Sequence, residues 1–239
     1  MRNTFLSVSI LCLYLLRASY AWADGPLLGD RNGDGDVEVL AFGDSITYGV
    51  GDGNAPGEYV GAISDIGEPR GYPLRLSSLL GVTVLNAGIP GEELVGLSGV
   101  RESGVARFPT TALGSSADVI ILMEGANDAR YEASPSQYAR DLQKVINVAR
   151  ADNRALLLAT LPPPTLQHAE FAPRVISYSS VVRDLGAVNT VPVVDVAAGF
   201  LTECPEISTC QYYNLPEGLH PNTVGYDAIA SMMANALQE

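Results

Sequence analysis

Five short apolar runs punctuate the chain and predict the strands of a buried sheet. Each run is rich in valine, isoleucine and leucine, and apolar and polar positions barely alternate within it. That pattern is typical of strands covered on both faces. The predicted strands span residues 37–42, 82–86, 119–123, 155–160 and 191–196.

Segments with helical periodicity lie between these runs. Residues 71–80 carry four leucines and precede Gly81, a residue type that commonly ends a helix. The segment after Ser134 has Pro135 at its first helical position and Gln137 completing a capping box. Further helices are predicted over residues 173–188 and 223–237, the last with Asn222 as its N-cap.

Strands alternating with helices predict a parallel sheet with helices on both faces. Ligands bind such sheets at the carboxyl ends of the strands. We therefore expect the functional residues in the segments that directly follow the strands.

Composition and charge narrow the possible functions. The chain has 239 residues, 47% hydrophobic and 17% charged, which is typical of a globular protein. Its net charge of -13 argues against nucleic acid or an anionic membrane surface as a partner. Three cysteines and two histidines are too few for a Cys/His zinc site, and we expect no metal and no cofactor.

The first 23 residues predict a secretory signal peptide. Arg2 precedes an apolar run over residues 5–16, and Ala21-Trp22-Ala23 is a cleavage signal. The run is short for a membrane span, so we expect no stable membrane insertion after cleavage and a secreted or periplasmic protein. Arg17 leaves an uncleaved anchor as the alternative. Residues 24–239 are predicted to form one domain.

Two cysteines, Cys204 and Cys210, remain after cleavage. Export leads to an oxidising compartment, where a nearby pair usually bonds. We predict a disulfide that stiffens the segment leading to His220; the alternative is two separate thiols.

Three predicted strands are followed by residues suited to chemistry. Ser45 lies directly after the first strand, and Gly91 lies in a glycine-rich loop after the second, where backbone can approach a ligand. Asn127 follows the third and can donate from its amide. Taken singly, each is also compatible with an ordinary turn.

The histidines provide the next constraint. A serine nucleophile usually needs an imidazole base, and the chain offers only His168 and His220. His168 lies in a proline-rich loop with no carboxylate in the three residues before it. His220 has Glu217 three residues before it and precedes a predicted helix, so His220 is the candidate base.

These blocks together resemble the SGNH, or GDSL, hydrolase superfamily over about residues 37–237. The resemblance implies a three-layer α/β/α sandwich with a five-stranded parallel sheet of flavodoxin-like order. It also implies that Ser45 is the nucleophile and His220 the general base. The N–H groups of Ser45 and Gly91 and the Asn127 amide would then form the oxyanion hole.

One position departs from the family pattern. The family usually has aspartate three residues before the histidine, and this chain has Glu217. Glutamate is one methylene longer, and we expect its carboxylate to orient the imidazole. The alternative is that a backbone carbonyl holds the ring.

The resemblance implies a serine ester hydrolase whose partner is a small-molecule ester, either an acetylated carbohydrate or a short-chain lipid or aryl ester. A non-catalytic ligand-binding module that kept the fold is the alternative, supported by the departure at Glu217. An anion-binding flavodoxin-like protein is a third, but no phosphate-loop pattern favours it. The sequence does not indicate the oligomeric state.

Two weaker signals remain. Residues 30–36 resemble the start of a calcium loop, but Ala41 stands where the bidentate glutamate belongs, so a polar turn is preferred. Residues 49–72 form a long glycine-rich insertion that is expected to contribute to the substrate wall. Within it, Arg70 is either a contact for a polar or anionic substrate or, preferably, a solvated surface residue.

Overall fold

A computed structural model describes residues 26–54 and 69–239. The predicted signal peptide and the middle of the 49–72 insertion lie outside the described residues. The strands are β1 Glu38–Gly43, β2 Thr83–Gly88, β3 Val119–Met123, β4 Ala155–Ala159 and β5 Val193–Val194. The helices are α1 Ser45–Tyr48, α2 Gly71–Leu80, α3 Gly104–Leu113, α4 Ala126–Arg130, α5 Pro135–Ala151, α6 Ala172–Asn189, α7 Val196–Glu203 and α8 Thr223–Gln238.

The five strands form a parallel sheet in the order β2-β1-β3-β4-β5, which is the flavodoxin-like order expected from the sequence. Every residue of β3 and β4 is buried, which explains why these runs lack an alternating pattern. Helix α8 packs with α2 and α7, whereas α5 packs with α3 and α6. The predicted α/β sandwich is confirmed.

The structure corrects the prediction at the fifth strand. Residues 191–196 were expected to be extended, but only Val193–Val194 pair with β4. The strand ends early because Asp195 caps α7, its side chain accepting a hydrogen bond from the Ala198 N–H at 3.1 Å. Val196 is therefore the first residue of a helix.

Helices α3 and α7 were not predicted. Helix α3 contains Pro109 in its interior, a residue that normally argues against a helix. Helix α7 begins inside an apolar run that has the composition of a strand. In both cases tertiary packing overrides the local signal.

The predicted helix ends are confirmed where side-chain chemistry defines them. The Ser134 hydroxyl accepts from the Gln137 N–H, and the Gln137 side chain accepts from the Ser134 N–H, so the capping box is complete. The Asn222 side chain accepts from two N–H groups at the start of α8. Gly81 ends α2 in the left-handed conformation.

The predicted disulfide between Cys204 and Cys210 is present. It closes the short segment that follows α7. Beyond it, Tyr213 forms an antiparallel bridge with Pro221, directly after His220. The bond therefore lies at the start of the segment that carries the C-terminal candidate residues.

The register of the sheet brings three of the candidate loops to one edge. Gly43 at the end of β1 lies opposite Gly88 of β2 and Met123 of β3. The three strands thus end at the same level, and the segments that follow them are neighbours. Gly88 has no side chain at a point where a Cβ atom would collide with the backbone nitrogen of Tyr48.

A buried aspartate links the first of these loops to the third. The Asp44 carboxylate accepts from the Ile46 N–H at 2.8 Å and from the Ala126 N–H at 3.3 Å. Burial raises the pKa of Asp44 to about 6, although its hydrogen bonds favour the charged form.

A second buried aspartate links the third loop to the second. The Asp128 carboxylate accepts from the N–H groups of Leu94 and Val95, both at 2.8 Å. Burial raises the pKa of Asp128 to about 7. The segments that follow β1, β2 and β3 are therefore cross-linked by polar groups that have little access to water.

A third carboxyl lies close to this pair. Glu124 is buried, and burial raises its pKa well above the usual range, so it is held as a neutral acid. The nearby Glu92 carboxylate forms two hydrogen bonds with the Arg107 guanidinium, both at 2.6 Å. Among the described residues, Glu92 has an ion-pair partner and Glu124 has none.

We expect the protein to lose stability as pH rises from 5 to 7.5. Asp44, Asp128 and Glu124 bind protons more tightly when folded than when unfolded, because burial raises their pKa values. Between the unfolded and the folded pKa of each carboxyl, the unfolded chain releases the proton and the folded chain keeps it, which lowers the free energy of unfolding by on the order of 1 kcal/mol per pH unit. Urea unfolding at several pH values measures the change.

The Asp128→Asn variant removes one titrating group and should show a shallower pH dependence of its free energy of unfolding. The free energy of unfolding at a single pH does not test the prediction, because the substitution also alters hydrogen bonds. A free energy of unfolding that is constant or rises over this pH range would contradict the account.

Candidate active site

A cleft of about 430 Å³ lies at the carboxyl ends of the strands. All five candidate residues from the sequence line it, although they come from four separate segments: Ser45, Gly91, Asn127, Glu217 and His220. Val50, from the described end of the insertion, also lines the cleft. The position agrees with the rule that parallel sheets bind ligands where their strands end.

Ser45 and His220 meet in this cleft. Ser45 is the first residue of α1, one residue beyond Asp44, the N-cap that links the first loop to the third. Its Oγ lies 2.9 Å from Nε2 of His220, although the two residues are separated by 175 positions in the sequence. On the other side of the ring, His220 Nδ1 lies 2.8 Å from Oε1 of Glu217.

The Glu217 carboxylate is fixed at both oxygens. Oε2 accepts from the N–H groups of Leu219 at 2.9 Å and His220 at 2.8 Å, while Oε1 faces the imidazole. Burial alone would favour the neutral acid, but the contacts with the His168 and His220 rings outweigh it. They hold the pKa of Glu217 below its usual value, so the carboxylate is charged. The carboxylate, rather than a backbone carbonyl, faces Nδ1.

Sequence reasoning set His168 aside, yet the structure places it in the same group of residues. His168 lies in a 3-10 helix, Leu166–Phe171, and its Nε2 is 3.2 Å from Oε1 of Glu217. Its carboxylate partner, Glu217, belongs to a distant loop and is not among the residues that precede His168 in the sequence. The sequence signal that could have identified His168 is that the chain contains only two histidines.

Asn214 is a second residue that sequence reasoning missed. It is buried, and its N–H donates to the His220 carbonyl at 3.0 Å. Its side-chain amide donates to the same carbonyl at 3.2 Å and to the Pro221 carbonyl at 3.0 Å. Asn214 therefore fixes the backbone on which the His220 ring is mounted.

Three residues with hydrogen-bond donors, Ser45, Gly91 and Asn127, line the same cleft. The Asn127 amide donates one hydrogen to the Glu92 carbonyl at 2.8 Å, which orients the group, and in the described parts of the chain its second N–H has no acceptor. Gly91 has a φ of 81°, in the left-handed region. Within residues 26–54 and 69–239, neither the Ser45 N–H nor the Gly91 N–H donates a hydrogen bond.

The weaker candidates lie elsewhere. The Asp30 carboxylate accepts from the N–H groups of Gly33 at 2.6 Å and Gly35 at 3.0 Å, so it is occupied by its own turn. Arg70 is exposed and does not line the cleft. In the described part of the chain, no group of three or more His, Cys, Asp or Glu residues is placed to hold a metal ion.

None of the described helices combines the length and the apolar character needed to cross a membrane.

Comparison with known proteins adds the family. Residues 41–228 match the model of the GDSL-like Lipase/Acylhydrolase family. No curated protein matches the sequence significantly.

Many solved structures share the fold. A lipase/acylhydrolase from Enterococcus faecalis has 23% identity and a TM-score of 0.63, with 84% of this chain and 95% of that one covered. A carbohydrate acetylesterase from Sinorhizobium meliloti has 16% identity and a TM-score of 0.65, with coverage of 84% and 97%. An inhibitor-bound aryl esterase from M. smegmatis has 16% identity and a TM-score of 0.65, with coverage of 83% and 97%.

At sequence identities of 16% to 23%, the structural matches show a shared fold. The family match covers most of the chain and includes all five candidate residues, from Ser45 to His220. The chain belongs to the GDSL-like lipase/acylhydrolase family and is an ester hydrolase.

Proposed function

We propose that the protein hydrolyses small acyl esters through a covalent acyl-enzyme on Ser45. The observation that carries the proposal is the continuous hydrogen-bonded chain from Ser45 Oγ to His220 Nε2 and from His220 Nδ1 to Glu217 Oε1, with distances of 2.9 and 2.8 Å. A serine, an imidazole and an orienting carboxylate at these distances form a nucleophile with its base.

The chain suggests how protons move. With its proton on Nδ1, directed to Glu217, His220 presents a free lone pair on Nε2 to the Ser45 hydroxyl. As Oγ attacks the ester carbonyl carbon, Nε2 takes the proton, and the Glu217 charge stabilises the imidazolium. The imidazolium then protonates the departing alkoxide, which leaves as the alcohol.

The second half of the cycle uses the same groups. Water gives a proton to His220 Nε2 while its oxygen attacks the acyl carbon of the acyl-enzyme. Collapse of this intermediate releases the carboxylic acid and returns the proton to Ser45 Oγ. Activity is expected to fall in acid, because a protonated His220 cannot accept a proton.

The free donors suit the negative oxygen that forms at each attack. We assign the oxyanion hole to the N–H groups of Ser45 and Gly91 and the second amide hydrogen of Asn127. The link between Asn127 and the Glu92 carbonyl supports this role, because a donor held in advance needs no reorganisation. Loss of one such donor generally costs about 100- to 1000-fold in rate.

The departure at Glu217 no longer favours a non-catalytic binding module. Its longer side chain brings a charged carboxylate to hydrogen-bonding distance of the imidazole, which is what the reaction requires of the acid.

The cleft supports a small substrate. Its volume, about 430 Å³, is near the lower end of the range for ligand pockets. Its walls combine the apolar Val50, Phe171 and Leu219 with the polar Gln167 and Arg130. This mixture suits a short acyl group joined to a larger polar or aromatic alcohol. Similar structures include a carbohydrate acetylesterase and an aryl esterase, which fits both options.

We also propose that the protein is exported. The predicted signal peptide supports export, and the disulfide between Cys204 and Cys210 is a bond that persists in oxidising compartments.

The Ser45→Ala variant should lose at least about a thousandfold in kcat/KM on p-nitrophenyl acetate, because Ser45 Oγ is the atom that attacks the ester in this mechanism. The matched control is Ser180→Ala, which removes an exposed hydroxyl on α6. It should retain wild-type activity. Full activity in the Ser45 variant would remove the nucleophile assignment.

A series of p-nitrophenyl esters from acetate to dodecanoate should show kcat/KM falling at least about tenfold beyond butyrate, because few apolar side chains line the cleft and a long acyl chain gains little by entering it. Acetate release from acetylated xylose tests the polar-alcohol option in parallel. A preference for decanoate or dodecanoate would show that the substrate is a long-chain lipid instead.

A further inference from the structure

Both histidines of the chain meet at one carboxylate oxygen. Oε1 of Glu217 lies 2.8 Å from His220 Nδ1 and 3.2 Å from His168 Nε2. The side chain of His168 is 27% exposed and lines the cleft, whereas the Glu217 side chain is 9% exposed. Ester hydrolysis through Ser45 uses His220 alone, so it does not account for the second histidine beside the buried acid.

The backbone around His168 is tied to the backbone around Glu217. The Thr165 N–H donates to the Gly218 carbonyl at 2.8 Å, and the His168 N–H donates to the Thr165 carbonyl at 2.9 Å. Gly218 has a φ of 76°, and a Cβ atom there would collide with the Thr165 carbonyl. The two loops can approach this closely only because residue 218 is glycine.

The ring itself is also held. The His168 imidazole stacks on Phe171, with ring centroids 5.4 Å apart and an angle of 28° between the planes. With the ring in this position, Nε2 lies within 3.2 Å of the carboxylate oxygen. Since a carboxylate oxygen can only accept, a hydrogen bond here requires the proton of His168 to be on Nε2.

The chemistry of glutamate explains what such a contact can do. A glutamate side chain has three rotatable bonds, so its carboxylate keeps more freedom than a shorter acid would. The N–H groups of Leu219 and His220 restrain Oε2 alone. A further donor at Oε1 restrains the oxygen that faces the His220 ring.

We propose that His168 is a positioning residue of the ester hydrolase, an inference that rests on the proposed function. His168 donates a hydrogen bond from Nε2 to Glu217 Oε1 and thereby holds that oxygen against His220. It acts through Glu217 and needs no contact with the substrate. A donated hydrogen bond leaves the proton on His168, so Glu217 keeps the charge that stabilises the imidazolium.

Two substitutions separate the hydrogen bond from the shape of the side chain. His168→Phe keeps a flat ring for stacking on Phe171 and removes the donor. It should lower kcat on p-nitrophenyl acetate about tenfold with KM within twofold of wild type. His168→Gln places an amide N–H near the position of Nε2 and should restore most of kcat. Glu170→Gln, on an exposed residue of the same turn, is the control and should match wild type.

A double-mutant cycle tests the route through Glu217. In a Glu217→Ala background, His168→Phe should cause no further loss of kcat, because the acceptor is gone. Should His168→Phe fail to fold by circular dichroism, His168→Asn takes its place, since its amide is too short to reach Oε1.

Three results would overturn the proposal: wild-type kcat in the donor-less variant, equal losses for the Phe and Gln variants, or a full additional loss in the Glu217→Ala background. Failure of the proposed function is a separate outcome. It is marked by activity in Ser45→Ala, whereas the present inference fails alone when Ser45→Ala is inactive and His168→Phe is not impaired.

Discussion

The hydrogen bond between Ser45 Oγ and His220 Nε2, 2.9 Å long, joins the end of the first strand to the loop before the last helix. Neither residue can be placed without the whole sheet and α8 in position. Tyr226 of α8 is buried and donates to the Val50 carbonyl at 2.8 Å, close to the same cleft. The contact between Ser45 and His220 therefore depends on long-range packing, and we expect strain in either of the two loops to alter the site.

Bringing three irregular loops together leaves backbone N–H groups with little access to water, and these groups need acceptors. Asp44 and Asp128 supply them across the loops, at the cost of burying charge. Glu124 adds a neutral acid beside them. Buried polar groups of a kind that is rare in a hydrophobic core thus hold the loops of the active site in place. Residues that serve function in this way often lower stability.

Local signals in the sequence were reliable where one residue type decides the outcome. The capping box at Ser134 and the apolar run at residues 119–123 specify their own structure, and the three strand-end motifs converge because the register of the sheet brings them together. Tertiary contacts decided the rest. Helix α3 forms despite Pro109, and His168 acquires its role from a carboxylate in a distant loop.

The most direct measurement is to treat the protein with a fluorophosphonate and locate the adduct by peptide mass spectrometry. We expect one phosphonyl group, on Ser45. Labelling of a His220→Ala variant should be much slower, because the Ser45 hydroxyl then lacks its base. An adduct on another residue, or labelling of Ser45 at the wild-type rate without His220, would contradict the central claim that these two side chains act as one unit.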